Sequence, residues 1–142
     1  MSKYFEVGVR YEKTQEDGTA KNVTETYLID ALSFSEVEKR ITEEMEDYIS
    51  GEFSVVAEKI TNIADVVNTD DVLADKFYKV KFSIITVDEK TGKEKKQTQL
   101  IVVNASSNDD ARDRYKQYYK DTPVDLVLEA VSETKYVDYI PY

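Results

Sequence analysis

The chain of 142 residues contains neither cysteine nor histidine. Without cysteine it has no disulfides, thiolate metal sites or cysteine nucleophiles. Without histidine, Ser-His-Asp catalysis, imidazole acid–base chemistry and most transition-metal sites are excluded. Asp70, Asp71 and Asp75 lie close in sequence, but they lack the alternating acids, glycine and terminal glutamate of a calcium-binding loop. We therefore expect a protein that is not an enzyme and that holds no metal or cofactor.

Glycine and long apolar runs are also scarce. The chain has four glycines, and none of them belongs to a GxGxxG or GxxxxGKS/T phosphate-binding loop. No apolar run approaches the roughly 20 residues of a membrane-spanning helix. The N-terminal residues lack the apolar region of a signal peptide. The sequence therefore predicts a cytoplasmic protein that does not enter the membrane.

The net charge of −10 is unevenly distributed along the chain. Residues 1–71 contain 7 Lys+Arg against 17 Asp+Glu, whereas residues 72–142 contain 12 of each kind. The first half is therefore expected to repel nucleic acid at long range, while the second half is not.

Two stretches of the chain repeat one pattern. Lys3–Val7 matches Lys76–Val80 at an offset of 73 residues. Alternate residues from there on are apolar in both copies, which is typical of a half-buried strand. These residues are Phe5, Val7, Val9 and Tyr11 in the first copy, and Tyr78, Val80, Phe82 and Ile84 in the second. Turns at Asp17-Gly18 and Thr91-Gly92 predict a β-hairpin in each copy.

A helix is predicted after each hairpin. Ser33 precedes Glu36 by three residues and Ser107 precedes Asp110 by three, which is the capping-box pattern of a helix start. Apolar and aromatic residues then recur at helical spacing and predict the faces that pack on the sheets. These faces comprise Phe34, Val37, Ile41, Met45 and Tyr48 in the first helix, and Ala111, Tyr115, Tyr118 and Tyr119 in the second.

A third strand is predicted at residues 53–60 and 124–131, at an offset of 71 that aligns Glu58 with Glu129. The predicted fold is therefore α+β, with tandem duplicated β-β-α-β units, mixed sheets and one helix per unit packed on one face. Whether the two units share one sheet is left open.

The predicted domain organisation follows from the repeat. It comprises a first repeat at residues 1–67, an acidic linker at 68–75 and a second repeat at 76–142. Similar tails, residues 63–67 and 136–140, end the two repeats. A unit of about 70 residues is marginally stable alone, so we expect the repeats to form one compact domain.

Short segments spread over nearly the whole chain carry a family resemblance. They are Phe5–Val7, Val9–Thr14, Val23–Glu25, Leu28–Phe34 and Ile49–Phe53 in the first copy, and Phe77–Lys81 and Tyr139–Tyr142 in the second. In these segments the chain resembles the family catalogued as domain of unknown function 4494, which occurs in Bacteroidetes and in phages and mobile elements that infect them. The resemblance implies a bacterial or phage cytoplasmic setting, and it implies no activity and no catalytic residue.

The strand face opposite the helices is the first candidate binding surface. It combines cations, which follow phosphates, with aromatic rings, which stack on bases, as single-strand nucleic-acid binders do. The candidate nucleic-acid-binding residues are Tyr4, Arg10, Phe77, Lys79, Lys81, Lys95 and Lys96. Tyr4 and Phe77 would be equivalent stacking rings in the two copies. The alternative interpretation is a solvated strand face on which the other copy covers Phe77.

Three further surfaces are candidates for binding a partner. The second helix interleaves cations with tyrosines, and the first helix is densely acidic, although a solvated face explains either one. The C-terminal segment is rich in tyrosine and could dock a partner or pack back onto a sheet; its candidate partner-docking residues are Tyr136, Tyr139 and Tyr142.

The sequence favours a non-catalytic binding protein. The leading hypothesis is a phage or mobile-element protein that binds single-stranded DNA or RNA. The alternative is an acidic protein–protein interaction module, such as an adaptor or an inhibitor of a host factor. The pattern does not indicate an oligomeric state.

Overall fold

A computed structural model of the protein describes residues 3–142. It contains ten elements, which are β1 (Lys3–Thr14), β2 (Ala20–Ala31), α1 (Phe34–Tyr48), β3 (Phe53–Ile60), β4 (Asp65–Val67), β5 (Lys76–Val87), β6 (Glu94–Ala105), α2 (Asn108–Tyr118), β7 (Asp125–Glu133) and β8 (Tyr136–Ile140). The α+β class and the order β-β-α-β in each copy are confirmed.

The strands form two four-stranded sheets, ordered β3-β1-β2-β8 and β4-β6-β5-β7. In the first sheet β1 is antiparallel to β2 and β3, and β8 is parallel to β2. In the second sheet β5 is antiparallel to β6 and β7, and β4 is parallel to β6. Both sheets are therefore mixed, and each one is built around the hairpin of one copy.

The two hairpins turn where the sequence predicts. Gly18 and Gly92 have φ angles of 85° and 70°, the left-handed region that a glycine adopts without steric cost. The backbone N–H of Gly18 donates to the carbonyl of Gln15, and that of Gly92 donates to Asp88. Each turn thus reverses the chain and sets the register of its hairpin.

One core lies between the helix and the sheet in each unit. The predicted strand residues are buried in both cores, although Ile84 is only partly buried. From α1 the core takes Val37, Ile41 and Met45, and from α2 it takes Ala111 and Tyr115. The period-two and helical patterns are therefore confirmed for these positions.

Three predicted core positions at the margins of the helix faces are exposed instead. Phe34, Tyr48 and Tyr118 each keep about half of their side-chain surface in solvent. Phe34 opens α1 and contacts Phe5 edge-on, with ring centroids 5.0 Å apart. Phe34 is the first residue of α1, and Tyr48 and Tyr118 are the last residues of α1 and α2, so all three lie at helix ends.

Both predicted N-caps are present. The backbone N–H of Glu36 donates to Ser33 Oγ at 3.2 Å, and that of Asp110 donates to Ser107 Oγ at 3.0 Å. The reciprocal carboxylate bonds differ from the predicted pattern. They accept from the amide one residue before the cap, Leu32 or Ser106, at 3.4 and 2.9 Å.

Replacing Ser33 by alanine is expected to destabilise the first unit by about 1 kcal/mol, because the amide of Glu36 loses its acceptor. Urea unfolding followed by NMR measures the change. Ser35, which is exposed inside the same helix, provides the control, and its replacement by alanine is expected to have little effect or to stabilise the helix slightly. An equal loss in both variants would contradict a capping role for Ser33.

The third strands match at an offset of 73, and the predicted offset of 71 is wrong. In β3 the bulged residue is Val56, between the pairs Gly8–Ala57 and Val9–Val55. In β7 the bulged residue is Glu129, between the pairs Lys81–Ala130 and Phe82–Leu128. A β-bulge adds one residue opposite a single partner, and both copies have it at the same position. Glu129 therefore corresponds to Val56 and not to Glu58.

The last strand of each repeat joins the other sheet. β4 follows β3 in the chain, yet it pairs with β6, while β8 follows β7 and pairs with β2. Equivalent threonines end the repeats before the crossing, because Thr61 and Thr134 bond the carbonyls of Tyr4 and Phe77 in their own copies. The repeats have therefore exchanged their terminal strands.

The two compact units of the structure consequently do not have the boundaries of the predicted repeats, residues 67 and 76. One unit comprises the described residues up to Thr61 together with Lys135–Tyr142, and the other comprises Asn62–Thr134. With these boundaries the first unit has 8 Lys+Arg and 15 Asp+Glu, and the second has 11 and 14. The first unit is strongly acidic, whereas the second is mildly acidic and not neutral.

Candidate functional site

One of the two rings predicted to stack on bases, Phe77, is buried. Phe77, Lys79 and Lys81 share the face of β5 opposite α2, because the alternate residues of that strand pack in the core with α2. Lys81 is exposed and Lys79 is half-buried, but Phe77 is only 6% exposed. The burial of Phe77 counts against its stacking on a base, and that role stays a prediction.

The two lysines of β6 lie on opposite faces. Lys96 is opposite Ile85 and Lys95 is opposite Thr86, and successive residues of a strand point to opposite sides of the sheet. Lys96 Nζ lies 2.7 Å from Glu129 Oε1, which also accepts a hydrogen bond from Ser83. These contacts, with Lys96 first, lower the pKa of the Glu129 carboxyl. The charge of Lys96 is therefore balanced within the sheet.

Tyr4 and Arg10 belong to the first unit. Tyr4 is half-buried, and its ring centroid lies 6.4 Å from that of Tyr139. Arg10 is exposed and lines a shallow groove with Glu12 and Glu52. Of the seven predicted residues, the acidic unit thus holds two, and Glu129 neutralises a third.

Arg112 and Arg114 of α2 also have partners within the fold. Arg112 donates to Asn108 at 2.8 Å, and Arg114 contacts Asp110 at 2.9 Å and Asp71 at 3.0 Å. These interactions hold the guanidinium groups along the helix. The surface of α2 therefore offers less free positive charge than its sequence indicates.

The tyrosine-rich tail packs back onto the first sheet as β8. Tyr136 is 6% exposed, and its hydroxyl donates to the carboxylate of Glu6. Burial, followed by this hydrogen bond, raises the pKa of Tyr136. Tyr139 is half-buried, whereas Tyr142 is 70% exposed. Tyr136 is therefore a structural residue, and of the three predicted docking residues Tyr142 alone is largely exposed.

Arg40 of α1 joins the tail to the helix. Its guanidinium donates to the carbonyls of Asp30 and Pro141 and lies 5.5 Å from the ring centroid of Tyr142. A cation over an aromatic face is attracted by the ring quadrupole. The end of β8 is thus anchored to the middle of α1.

The acidic residues of α1 concentrate in its C-terminal half. Glu43, Glu44, Glu46 and Asp47 are all exposed, and the last turn contains no basic residue. The C-terminus of a helix carries partial negative charge, so carboxylates there are unfavourable by roughly 0.3–1 kcal/mol each. The sequence identified this helix as acidic but not where its carboxylates would face.

A groove of about 280 Å³ lies beside these carboxylates in the first unit. Its lining residues come from β2, α1 and β8, and are Tyr27, Glu44, Met45, Tyr48, Val137, Asp138 and Ile140. Its floor is mostly apolar, while Glu44 and Asp138 place carboxylates on its helix side and its strand side. Among residues 3–142, no cation lies within ion-pair distance of either carboxylate. We call this feature the α1–β8 groove.

Sequence reasoning missed the α1–β8 groove because its strand side comes from the far end of the chain. The signals available were the charge of α1 and the polar Asp138 within an otherwise apolar tail. Neither signal indicates that β8 would lie next to α1.

Neither a metal-binding cluster nor a membrane-spanning helix is present among the described residues. Among the described residues, no group of three or more acidic side chains is arranged to hold a metal ion. Within the same part of the chain, no helix has the length and apolar character needed to span a membrane.

The fold defines an α+β protein of two duplicated units with exchanged terminal strands. The first unit is strongly acidic and contains the α1–β8 groove. A family model described as "Domain of unknown function (DUF4494)" matches residues 3–142, and the chain belongs to this family. Neither the comparison with curated proteins nor that with solved structures found a match.

Proposed function

We propose that this protein is a non-catalytic, acidic protein-interaction module that binds a basic segment of another protein through its first unit. The placement of four exposed carboxylates in the C-terminal half of α1 carries this proposal. Exposed carboxylates of one sign steer and bind cationic partners.

The comparison between the two helices supports a binding role for these carboxylates. In α2, Asp109 and Asp110 lie in the first turn and Lys116 lies in the last, the arrangement that the helix dipole favours. In α1 the last turn has the opposite charge. Local violations of stabilising rules concentrate at functional sites, where activity offsets a cost in stability.

Single-stranded nucleic acid is the second candidate ligand. Lys81 is exposed and lines an open groove of about 340 Å³ with Asn62, Thr98 and other residues of the second unit. This groove supports the candidate less than the sequence suggested, since Phe77 is buried and Lys96 is ion-paired.

The test uses the full chain and two probes, a fluorescein-labelled oligolysine peptide and a labelled single-stranded oligodeoxythymidine. Fluorescence anisotropy at rising salt is expected to show binding of the peptide that weakens with ionic strength. Binding of the oligonucleotide at low salt without binding of the peptide would overturn the proposal in favour of nucleic acid.

Neutralising the last turn of α1 is expected to change stability and binding in opposite directions. The double variant Glu46→Gln/Asp47→Asn should gain about 0.3–1 kcal/mol per charge in unfolding free energy. The same variant should bind oligolysine roughly 2- to 30-fold more weakly, because each exposed ion pair contributes about 0.2–1 kcal/mol.

The matched control is Glu89→Gln/Glu94→Gln, which removes the same charge from exposed positions in and beside the β5–β6 turn. It is expected to weaken binding much less than the α1 variant does. Equal weakening in both variants would show that net charge alone attracts the peptide, and would contradict a binding role for α1.

The family resemblance supports a cytoplasmic setting in Bacteroidetes or their phages, which we include in the proposal. An interaction module of this kind would act as an adaptor or an inhibitor of a basic host or phage protein. Affinity purification from such a host, compared between the unmodified chain and the α1 double variant, would identify partners that depend on the acidic helix.

A further inference from the structure

The α1–β8 groove combines an apolar floor with a carboxylate on each side. Met45, Tyr48 and Val137 provide apolar surface between Glu44 and Asp138. A lysine or arginine side chain has the complementary form, since its aliphatic stem covers apolar surface while its charged head reaches polar groups. A groove of about 280 Å³ is near the lower limit of about 300 Å³ for small-ligand pockets, which suits one long side chain.

We propose that the α1–β8 groove binds an extended basic peptide, with one lysine or arginine side chain held between Glu44 and Asp138. This inference rests on the proposed function and specifies its site. The occupant is a peptide segment of a partner protein, because charge complementarity selects a cation and the groove lies along a strand.

In the second unit, the residues at the positions equivalent to Glu44 and Asp138 bind each other directly. By sheet register and chain offset, Asp65 of β4 is the equivalent of Asp138, and Tyr118 of α2 is the equivalent of Glu44. The hydroxyl of Tyr118 donates to Asp65 Oδ2 at 2.9 Å, which joins the helix to the strand. This hydrogen bond raises the pKa of Tyr118.

In the first unit the tyrosine of this pair is replaced by a second carboxylate. Glu44 and Asp138 cannot donate to each other when ionised, and like charges on the two sides of a groove repel. A cationic side chain between them would remove the repulsion and donate to both carboxylates, of which Asp138 already accepts from the backbone N–H of Tyr139 at 2.8 Å. The duplicated unit thus provides an internal comparison. A hydrogen bond joins the helix to the strand in the second unit, whereas two carboxylates occupy the same positions in the first.

The position of β8 in the sheet favours a peptide in extended conformation. β8 is the edge strand of the order β3-β1-β2-β8. An edge strand presents unpaired backbone N–H and C=O groups, and extended peptides bind such edges by adding a strand. Val137 of β8 is also partly exposed. A peptide strand along β8 would place alternate side chains over the α1–β8 groove.

The test uses a short labelled peptide of alternating valine and lysine, titrated into the full chain. NMR shift changes are expected at Met45, Tyr48 and Val137–Ile140. The variant Glu44→Tyr, which reproduces the bridge of the second unit, should lower the affinity roughly tenfold or more, and Asp138→Asn should act similarly. Glu43→Gln, on the same helix but outside the groove, should lower it less than about threefold.

Two peptide variants test the added strand. In one the backbone nitrogens of the valines are methylated, and in the other those of the lysines are methylated. One of the two should lose binding, because only alternate N–H groups of an added strand face β8. Equal binding of both methylated peptides would contradict the proposal that the peptide adds a strand to the edge of β8.

The outcomes separate the groove from the proposed function. Two results would contradict the α1–β8 groove as the binding site and would leave the proposed acidic interaction module intact. In the first, the peptide binds but Glu44→Tyr and Glu43→Gln weaken binding equally. In the second, the peptide binds but the shift changes lie outside the groove. If neither this peptide nor oligolysine binds the unmodified chain at low salt, both proposals fail.

Discussion

A chain that ends at Thr134 is expected to lose the structure of its N-terminal unit while the second unit stays folded. The truncation removes β8, whose Ile140 is part of the first core and whose Tyr136 is buried against Glu6. Burying a large side chain contributes roughly 1.5–3 kcal/mol. Two such side chains contribute roughly 3–6 kcal/mol, which reaches the lower end of the 5–15 kcal/mol by which a typical domain is stable.

Amide hydrogen exchange measures this result residue by residue. Protection should fall in β1, β2 and β3 and should persist in β5, β6 and β7. The control is Tyr142→Ala, which changes a residue that is 70% exposed and should leave protection intact. Loss of protection in β5–β7 instead, where β8 would belong by chain order, would contradict the strand exchange.

The substitution Phe82→Ala is expected to destabilise the second unit by about 3–5 kcal/mol, the usual cost of deleting a buried ring. Phe82 is 2% exposed, and its centroid lies 5.2 Å from that of Tyr115 and 5.0 Å from that of Tyr119. Such aromatic pairs contribute about 0.5–1.5 kcal/mol beyond buried area. The substitution would remove the ring that joins β5 to the tyrosines of α2.

Unfolding in urea, followed through NMR signals of each unit separately, tests this prediction. Val87→Ala is the control, because Val87 lies on the same strand and is mostly exposed, so that its loss should cost at most about 0.5 kcal/mol. A change below about 1 kcal/mol in the Phe82 variant would show that the ring does not anchor the core.

Local patterns in the sequence predicted the elements and most of the core. Alternation identified the inward faces of β1 and β5, because side chains of a strand point to opposite sides. Serines at Ser33 and Ser107 identified both helix starts, since their hydroxyl groups accept from nearby amides. Each of these features depends on residues a few positions apart, and one sequence contains that information in full.

Features that depend on distant residues were not predicted. The tails resemble each other, so their similarity indicated a common role but not which sheet each one joins. The equivalent bulges at Val56 and Glu129 were also not predicted, because an extra residue opposite a single partner is visible only in the pairing of two strands. The burial of Phe77 likewise depends on what covers that face of the sheet.

The candidate site was predicted only in part for the same reason. The charge of α1 was visible in the sequence, but the α1–β8 groove requires Asp138 to lie beside a helix some ninety residues earlier in the chain. The lysines of the second copy appeared as one surface in the sequence, whereas strand geometry separates Lys95 from Lys96.

The exchanged strands also affect the order in which the protein folds during its synthesis. Ile60 completes the first three strands of the N-terminal unit, but β8 ends at Ile140. At roughly 5–20 residues per second, a ribosome needs several seconds to make the residues between them. During that interval the outer edge of β2 is unpaired, and an unpaired edge is a template for other strands. β4 emerges soon after β3 and has no partner until β6 is made. The first unit is completed only after nearly all of the second repeat has been translated.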